Sequence, residues 1–504
     1  MNQLQPAARA LAELTAGLLA VPEGIMVSDV TADSRAVTPG ALFLACRGRT
    51  HHGMKFAAEA VSRGARAVLY EPRADSDPAP QLGPGIFVAE VARLNEHAGV
   101  IADRFFGAPS AQLTVAGLTG TNGKTTCAWL LAQALEACGR PAAYMGTLGF
   151  GRPPALTPTV HTTPDAVSVQ RQLAALRALR AECVSMEVSS HALDQARVSG
   201  VRFNTAAFTN LTRDHLDYHG TMAAYGAAKA RLFDFPGLAH RIINVDDPFG
   251  AELAARPAAG SLTVTTRAGG RSASAPGAQF VRAARVSPDP GGLTIAVESS
   301  WGSAELAVRL IGEFNVDNAL TVLAVLLEWG VPLAEAVRAL SRCRPASGRM
   351  EMFGGRGLAP LAIVDYAHSP DALAKALRAA RLHCLGKLRV VFGCGGDRDA
   401  GKRPLMGRIA TELADDLIVT DDNPRTEDPA HIVAEILAGV APRVPLVVEH
   451  DRALAIRLAL GRSAPDDVVL IAGKGHEDYQ IIGHVRRPFR DQAVVMDALR
   501  EAGA

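Results

Sequence analysis

Residues 117–126, Gly-Leu-Thr-Gly-Thr-Asn-Gly-Lys-Thr-Thr, constrain the fold of this chain more than any other stretch. The apolar run at 113–118 predicts a buried strand that leads into it. Apolar residues at 127, 130, 131, 134, 135 and 138 have the spacing of a helix that leads out of it, and Gly139 stands where a helix C-cap is expected. Strand, glycine-rich turn and helix in this order are typical of a phosphate-binding loop.

The chemistry of this loop lies in its last residues. Backbone N–H groups and the helix N-terminus would face the phosphates, Lys124 would neutralise them, and the Thr125 hydroxyl can ligate Mg²⁺. The strict pattern requires a glycine five residues before Gly123, where this chain has Leu118. A plain tight turn would not explain Lys-Thr-Thr at the start of a helix, so we predict a nucleotide site.

Composition excludes several classes of protein. A chain of 504 residues suggests about three domains. Lys plus Arg (52) nearly cancels Asp plus Glu (51), so no global field attracts nucleic acid or an anionic membrane. The chain has neither a secretion signal at its start nor a long apolar run, and its scattered cysteines form no Cys-x-x-Cys pair. We therefore expect a cytoplasmic protein without a disulfide framework or a zinc site.

The alternation of apolar runs and helical patterns predicts an α/β fold with three domains, at 1–110, 111–342 and 343–504. Residues 252–310 differ, because their Gly/Ser/Ala stretches and short alternating runs suit antiparallel strands on one edge. Beyond the loop, strands are predicted at 40–45, 67–70, 183–188, 205–208, 241–245, 361–364, 388–392, 416–420 and 467–472, and helices at 56–62, 165–180, 221–234 and 316–329.

An unusual polar cluster follows each strong strand of the second and third domains. Ligands of doubly wound sheets bind beyond the carboxyl ends of the strands, so many such clusters in two domains predict two sites on facing sheet edges with a cleft between them. The clusters are 189–191, 210–215, 365–368, 393–398, 421–425 and 473–477.

The residue types in these clusters indicate two kinds of ligand. In the middle domain, Glu187 and His215 are candidate Mg²⁺ ligands beside a phosphate loop. In the last domain, Arg398 and Arg425 have the planar fork that binds carboxylates, and Asp422, Asn423 and Glu477 can accept an ammonium. That combination fits an amino-acid substrate, and a set of surface ion pairs is the alternative. Spacing alone favours an ordinary solvated lysine at Lys229.

With these residues assembled, the chain resembles the Mur ligases, three-domain ATP-dependent enzymes that add amino acids to the UDP-N-acetylmuramoyl peptide of bacterial cell walls. The resemblance covers nearly the whole length and implies a P-loop central domain and a Rossmann-like C-terminal domain. The family's motif Gly-Thr-Asn-Gly-Lys-Thr-Thr stands here as Gly120, Thr121, Asn122, Gly123, Lys124, Thr125 and Thr126, which accounts for Leu118. Within the family, the chain is most similar to members that add meso-diaminopimelate to UDP-N-acetylmuramoyl-L-alanyl-D-glutamate.

The resemblance also implies roles for residues that spacing alone leaves open. Lys229 matches a lysine that is carbamylated in these enzymes and ligates a second Mg²⁺, beside Thr125, Glu187 and His215. Asn315 and Arg349 resemble nucleotide-base contacts, and Asp365 lies near the ribose. The substrate positions implied are Ala32 and Ser34 for the UDP group, with the loop Arg49-Thr50-His51 beside them; His161, Thr162, Thr163, Ser189, Gln195 and Arg197 for the muramoyl peptide; and Arg398, Asp422, Asn423, Pro424, Arg425, Gly473 and Glu477 for the amino acid.

These roles imply that ATP phosphorylates the D-glutamate γ-carboxylate and that the amine of meso-diaminopimelate displaces the phosphate. This would be a step of peptidoglycan precursor synthesis, and so of cell-wall biogenesis, cell shape and cell division. We expect a monomer whose third domain closes on the second about a hinge near 341–345.

Three alternatives remain open. A lysine-adding ligase of the same family would lack the arginine of the Asp-Asn-Pro-Arg tetrapeptide at 422–425. A folylpolyglutamate synthetase would lack a UDP-binding first domain of this kind. A nucleotide switch could use the same phosphate loop without ligase chemistry, although the chain has no Asn-Lys-x-Asp guanine signature.

Overall fold

The computed structural model describes residues 7–48, 51–72, 82–257, 259–267, 277–289, 291–355, 357–442 and 444–501. The chain divides into two compact units. The first lies within Met1–Thr265, Arg271–Phe280 and Ala324–Trp329, and the second within Thr266–Gly270, Val281–Leu323 and Gly330–Ala504. No helix within the described ranges is long and apolar enough to cross a membrane.

The elements alternate between strands and helices along most of the chain. The strands are β1 (Arg9–Ala10), β2 (Met26–Val27), β3 (Val30–Thr31), β4 (Leu42–Ala45), β5 (Ala67–Tyr70), β6 (Phe87–Glu90), β7 (Thr114–Thr119), β8 (Ala142–Gly146), β9 (Gly149–Arg152), β10 (Ala155–Thr157), β11 (Cys183–Glu187), β12 (Thr205–Phe208), β13 (His240–Asn244), β14 (Ser261–Arg267), β15 (Gln279–Asp289), β16 (Gly292–Ser299), β17 (Gly302–Val308), β18 (Glu351–Gly354), β19 (Leu361–Asp365), β20 (Leu388–Phe392), β21 (Asp416–Val419), β22 (Leu446–Val448), β23 (Val468–Ala472), β24 (Tyr479–Ile482) and β25 (Val485–Pro488). The α-helices are α1 (Leu11–Leu14), α2 (Ala57–Ser62), α3 (Leu94–Phe105), α4 (Lys124–Ala137), α5 (Ala166–Ala178), α6 (Ser190–Asp194), α7 (Leu216–His219), α8 (Met222–Ala230), α9 (Pro248–Ala254), α10 (Phe314–Glu328), α11 (Leu333–Arg342), α12 (Pro370–Arg381), α13 (Lys402–Leu413), α14 (Pro429–Leu437), α15 (Arg452–Gly461) and α16 (Asp491–Glu501).

In the described residues of the first unit, β1 and β2 form a two-stranded antiparallel sheet, and two larger sheets accompany it. A small parallel sheet has the order β3-β4-β5-β6, and α1 and α3 cover one of its faces with Leu11, Leu14 and Ile101. The larger sheet runs β10-β9-β8-β11-β7-β12-β13-β14, with parallel pairing from β8 to β14. Because the strands from β8 to β13 are parallel neighbours, the loops after β7, β8, β11 and β12 meet at one edge.

The second unit contains the predicted antiparallel strands and a parallel sheet of its own. Strands β15, β16 and β17 pair antiparallel, whereas β14, also inside the range where antiparallel strands were expected, is parallel to β13. The other sheet has the order β18-β19-β23-β20-β21-β22, parallel except for the edge strand β18.

Both faces of the parallel sheet in the second unit are buried. Alternate residues of β19 separate into two cores, with Leu361 and Ile363 in one and Ala362 and Val364 in the other. Helices cover both faces, which is why the strands read as continuous apolar runs. The α/β fold class is confirmed, and the boundaries of the three domains stay a prediction.

Candidate functional site

The phosphate-binding loop lies between β7, which ends at Thr119, and α4, which begins at Lys124. Gly123 is the N-cap of α4 with φ 86°, a left-handed conformation that favours glycine. Gly120 has φ 151°, and a Cβ there would lie 2.0 Å from Thr209 Oγ1. Gly139, with φ 70°, follows the last turn of α4 at the predicted C-cap. The loop therefore has the strand–turn–helix context that its sequence predicts.

Two lysine amines converge on one carbonyl of this loop. Lys124 Nζ donates to the carbonyls of Gly120 (2.9 Å) and Thr121 (2.8 Å), and Lys229 Nζ donates to that of Gly120 (2.7 Å). Lys229 is 1% exposed, and burial, followed by the charge of Lys124, lowers its pKa to about 6. Lys124, joined by Lys229 when that amine is protonated, gives the loop a positive potential suited to an anion.

The Thr125 hydroxyl donates to Glu187 Oε2 at 2.8 Å. The Tyr144 hydroxyl and the Thr147 amide donate to the other carboxylate oxygen, so the orientation of Glu187 is fixed. Among the described residues, no three His, Cys, Asp or Glu side chains form a group that could hold a metal. Adjacent hydroxyl and carboxylate oxygens still fit Mg²⁺, which usually takes one or two carboxylates and completes its shell with water and phosphate oxygens.

His215 lies in the loop after β12, with φ 52°. Its ring centroid is 4.8 Å from that of His191 and 6.0 Å from that of Tyr225, and its Nε2 is 3.6 Å from Asp214 Oδ2. The predicted metal ligand therefore belongs to an aromatic and histidine cluster.

Five of the six residues predicted to bind the muramoyl peptide form one hydrogen-bond network with Glu187. Thr162 Oγ1 lies 3.0 Å from Thr147 Oγ1, while Thr163 Oγ1 donates to the Glu187 carbonyl at 2.9 Å and accepts from the Ser189 amide at 3.2 Å. Arg197 donates to the Thr163 carbonyl (3.0 Å) and to Gln195 Oε1 (2.9 and 2.6 Å). His161 is exposed, and its carbonyl accepts from Thr159.

The predicted UDP contacts lie after β3. Ala32 is exposed, whereas Ser34 is buried and its hydroxyl donates to Glu59 at 2.7 Å. A ligand at Ser34 would share this hydroxyl with Glu59. Arg49 and Thr50 lie outside the described residues.

In the second unit, Asp365 and Arg349 lie together. Asp365 Oδ2 accepts from the Met350 amide at 2.8 Å, and the Arg349 guanidinium lies 5.2 Å from the Tyr366 ring centroid. Burial raises the pKa of Asp365. Asn315 is 4% exposed; it donates to the Ile311 carbonyl and accepts from Asn318, both at 2.8 Å.

Arg398 and Arg425 flank Gly395 at the carboxyl edge of the second unit's parallel sheet. A Cβ at Gly395 would lie 2.9 Å from Arg425 Nη1 and 3.8 Å from Arg398 Cγ. Arg425 has φ 53°, its amide donates to the Ile481 carbonyl (3.1 Å), and its Nη1 donates to the Gly396 carbonyl (2.8 Å). The hairpin β24–β25 therefore holds the tetrapeptide loop in place.

Asp422, Asn423 and Glu477, which we call the acceptor cluster, lie at the same edge. Asn423 Nδ2 donates to Glu477 Oε2 at 2.8 Å, and a Cβ at Gly473 would lie 2.5 Å from Asp422 Oδ2. Pro424 is buried, and its carbonyl packs against Gly396. The structure thus brings the seven residues predicted for the amino acid to adjacent loops of one edge.

Sequence patterns assign no role to Lys474 and Arg403, which are buried basic residues at this edge. Lys474 contacts all three members of the acceptor cluster, and Arg403 bridges Glu427, Glu435 and the Gly395 carbonyl. The signal for Lys474 was its position between two glycines directly after β23. The carboxylate partners of Arg403 lie 24 and 32 residues away along the chain, so no local sequence pattern indicates its role.

A phosphate-binding loop on one parallel sheet and a polar cluster on a second define an α/β protein of the P-loop class. Three family models match the chain: Mur ligase family, catalytic domain, at 27–105; Mur ligase middle domain at 118–326; and Mur ligase, glutamate ligase domain, at 348–475. The chain belongs to the Mur ligase family.

Similar proteins cover almost the whole chain. It is 48% identical over 480 residues to a UDP-N-acetylmuramoyl-L-alanyl-D-glutamate–2,6-diaminopimelate ligase of Alkalilimnicola ehrlichii, covering 94% of this chain and 95% of the relative. It is 47% identical over 482 residues to the protein of the same name from Xanthomonas campestris pv. campestris, with 95% of each covered. A solved structure of a ligase of that name has a TM-score of 0.76 at 34% identity, covering 99% of this chain and 100% of its own.

Proposed function

We propose that this protein is an ATP-dependent ligase that joins meso-diaminopimelate to the D-glutamate γ-carboxylate of UDP-N-acetylmuramoyl-L-alanyl-D-glutamate, in peptidoglycan precursor synthesis in the cytoplasm. The names of the similar proteins support this substrate pair. The observation that carries the proposal is the convergence of two arginines and the acceptor cluster at one sheet edge, because an amino acid carries both a carboxylate and an ammonium.

On the ATP side, the residues of the loop bind and orient the phosphates. The N–H groups at the start of α4 face the triphosphate, and Lys124 leaves its loop carbonyls to pair with phosphate oxygens. Thr125, Glu187, His215 and Lys229 would hold Mg²⁺, which neutralises the charge that spreads over the transferred phosphoryl group. The network from Glu187 through Thr147 to Thr162 orients the D-glutamate carboxylate towards the loop.

We also propose that Lys229 is carbamylated. A buried amine without a carboxylate partner among its described contacts becomes an anion once carbamylated, and that anion can pair with Lys124 and with a metal. The mass of the intact protein, measured with and without bicarbonate, tests this; a mass without the added carbamate in bicarbonate contradicts it.

On the amino-acid side, Arg425 is the specificity residue. Its backbone N–H and carbonyl both form hydrogen bonds with the hairpin β24–β25, which fixes the position from which the side chain extends. meso-Diaminopimelate carries a second carboxylate that pairs with it, whereas lysine would leave the arginine unpaired. A site built for a polar group rejects an analogue without that group by a factor on the order of 10⁴.

The decisive experiment measures ADP formation with ATP, the UDP-dipeptide and a panel of amino acids. We expect ADP release that requires both the UDP-dipeptide and meso-diaminopimelate, with kcat/KM for lysine lower by a factor on the order of 10⁴. A preference for lysine would contradict the substrate assignment. ADP release that does not depend on the amino acid would favour a nucleotide switch. Acceptance of a folate in place of the UDP-dipeptide would favour a folylpolyglutamate synthetase.

A further inference from the structure

Lys474 is a fully buried cation that the proposed reaction does not use. It follows β23 in the sequence Gly473-Lys474-Gly475, and its side chain is 0% exposed. Burying an ammonium group is costly unless it is paired and hydrogen-bonded. The groups that contact Lys474 therefore indicate the role of this buried charge.

All of the polar side chains that Lys474 contacts belong, among the described residues, to the acceptor cluster. Lys474 Nζ donates to Asn423 Oδ1 at 3.0 Å and to Glu477 Oε2 at 3.1 Å, and it lies 3.6 Å from Asp422 Oδ1. Lys474 Nζ also lies over the ring of Tyr479, whose centroid is 5.7 Å away. One amine thus joins a residue of the loop after β23 to two residues of the loop after β21.

These contacts decide how the acceptor cluster presents its atoms. Asn423 Oδ1 receives Lys474 and the Ile481 amide (2.9 Å), which turns its Nδ2 towards Glu477. Glu477 Oε2 receives both Lys474 and Asn423. In the described part of the chain, Glu477 Oε1 has no hydrogen-bond donor, and the side chain is 16% exposed. This oxygen is therefore the one that can meet a ligand.

Lys474 also sets the charge of the cluster. Asp422 and Glu477 bring two carboxylates, and Lys474 compensates one of them. The nearby cation Arg452 is already paired with Asp491, at 2.7 and 2.8 Å, and both side chains are fully buried. Among Lys474, Asp422 and Glu477 one negative charge is left, which matches a single ammonium group, while Arg398 and Arg425 at the same edge match the carboxylates of the ligand.

We propose that Lys474 is a positioning and specificity residue of the amino-acid site. It directs Glu477 Oε1 to the ligand and keeps the acceptor cluster one charge negative, so that the site binds one ammonium group of a diamino acid. The inference rests on the proposed function, since the ligand is taken to be the amino-acid substrate.

The test compares Lys474→Met, Lys474→Arg and the exposed control Lys387→Met. Calorimetry measures the Kd of meso-diaminopimelate for the full-length enzyme, and steady-state assays measure KM for each substrate between about pH 6 and pH 9. For Lys474→Met we expect a rise of at least about tenfold in the Kd and KM of meso-diaminopimelate, with unchanged KM for ATP and the UDP-dipeptide. Truncating one partner of a buried charged pair has effects of this size or larger.

The pH profile distinguishes positioning from a merely structural role. Without the cation, two carboxylates share one site and one of them keeps its proton to a higher pH, so it accepts an ammonium less well. The acid limb of the amino-acid KM profile should therefore move to higher pH in Lys474→Met and return in Lys474→Arg. An acid limb that stays in place, or an equal loss for all three substrates, would overturn the inference.

Lys474→Arg carries the test if Lys474→Met does not fold. The guanidinium of arginine is larger than the amine of Lys474, so it keeps the charge but displaces Asn423 and Glu477. KM for meso-diaminopimelate should therefore rise, while the acid limb of its pH profile stays in place. An unchanged KM, or a displaced acid limb, would overturn the inference. A wild type that forms no ADP with all three substrates would instead be a failure of the proposed function, whereas an active wild type with unaffected Lys474 variants would contradict the role of Lys474 alone.

Discussion

The phosphate-binding loop and the amino-acid site both lie at the carboxyl edge of a parallel sheet, but they hold their charges in opposite ways. In the loop, Lys124 and Lys229 donate to backbone carbonyls, and both reach that of Gly120. At the amino-acid site, Lys474, Arg403 and Arg452 each meet carboxylates of the same unit.

The difference follows from the charge of the ligand. A triphosphate is an anion, so a loop that binds it carries excess positive charge while the ligand is absent. An amino acid brings charges of both signs, so its site needs cations and anions held apart at fixed positions. Removing a basic side chain should therefore stabilise the loop but weaken the structure or the ligand binding of the amino-acid site. Three predictions test this contrast.

The largest effect is expected for Arg452→Met. This substitution leaves Asp491 as a buried unpaired charge and should lower the free energy of unfolding by about 3–5 kcal/mol. Urea denaturation measures it. The matched control is the double variant Arg452→Met/Asp491→Leu, which removes both charges and should recover most of the loss. A single variant as stable as the wild type would show that the pair is not needed.

The next effect is expected for Arg425→Ala. Losing the hydrogen bonds of this charged group should raise KM for meso-diaminopimelate by about 10- to 100-fold and leave the binding of ATP and of the UDP-dipeptide intact. Arg487→Ala, at an exposed arginine of the neighbouring hairpin, is the control and should behave as the wild type. A weaker affinity for ATP in Arg425→Ala would mean that the amino-acid site is assigned to the wrong edge.

The third effect is expected in the pH dependence of the stability of Lys229→Met. The folded state releases the Lys229 proton near pH 6, whereas the unfolded state keeps it up to its ordinary pKa of 10.5. Between these values the unfolded state binds more protons, so this lysine makes wild-type stability rise with pH, by up to about 1.4 kcal/mol per pH unit.

The stability advantage of Lys229→Met over the wild type should therefore shrink as pH rises from about 7 to 9 in CO₂-free buffer, as urea titrations would show. Lys375→Met, at an exposed lysine, should show no such trend. An advantage that is constant with pH would mean that Lys229 keeps its ordinary pKa.

Much of the fold could be predicted from the sequence because its signals are local. The strands β12 and β20 have the predicted bounds, and the helix after Gly123 starts where the loop motif requires. The antiparallel strands begin later than the sequence predicts, because the apolar pattern of β14 suits a strand parallel to β13 equally well.

Single site residues were less predictable than the clusters that contain them. The seven residues expected at the amino-acid site do lie at one edge, since each follows a strand of the same parallel sheet. The Ser34 hydroxyl, by contrast, is shared with Glu59, and no spacing indicates a partner 25 residues away.

The sequence by itself determined the α/β class, the phosphate-binding loop and the set of polar loops, because these depend on periodicity and on glycine, lysine and threonine at fixed offsets. Only the tertiary structure decided which charges meet. By its spacing alone Lys229 reads as an ordinary surface lysine, and only the structure shows that α8 places it on the Gly120 carbonyl. Lys474 has no evident role until two loops bring Asn423 and Glu477 to it. Burial and charge pairing depend on distant parts of the chain, which no local pattern encodes.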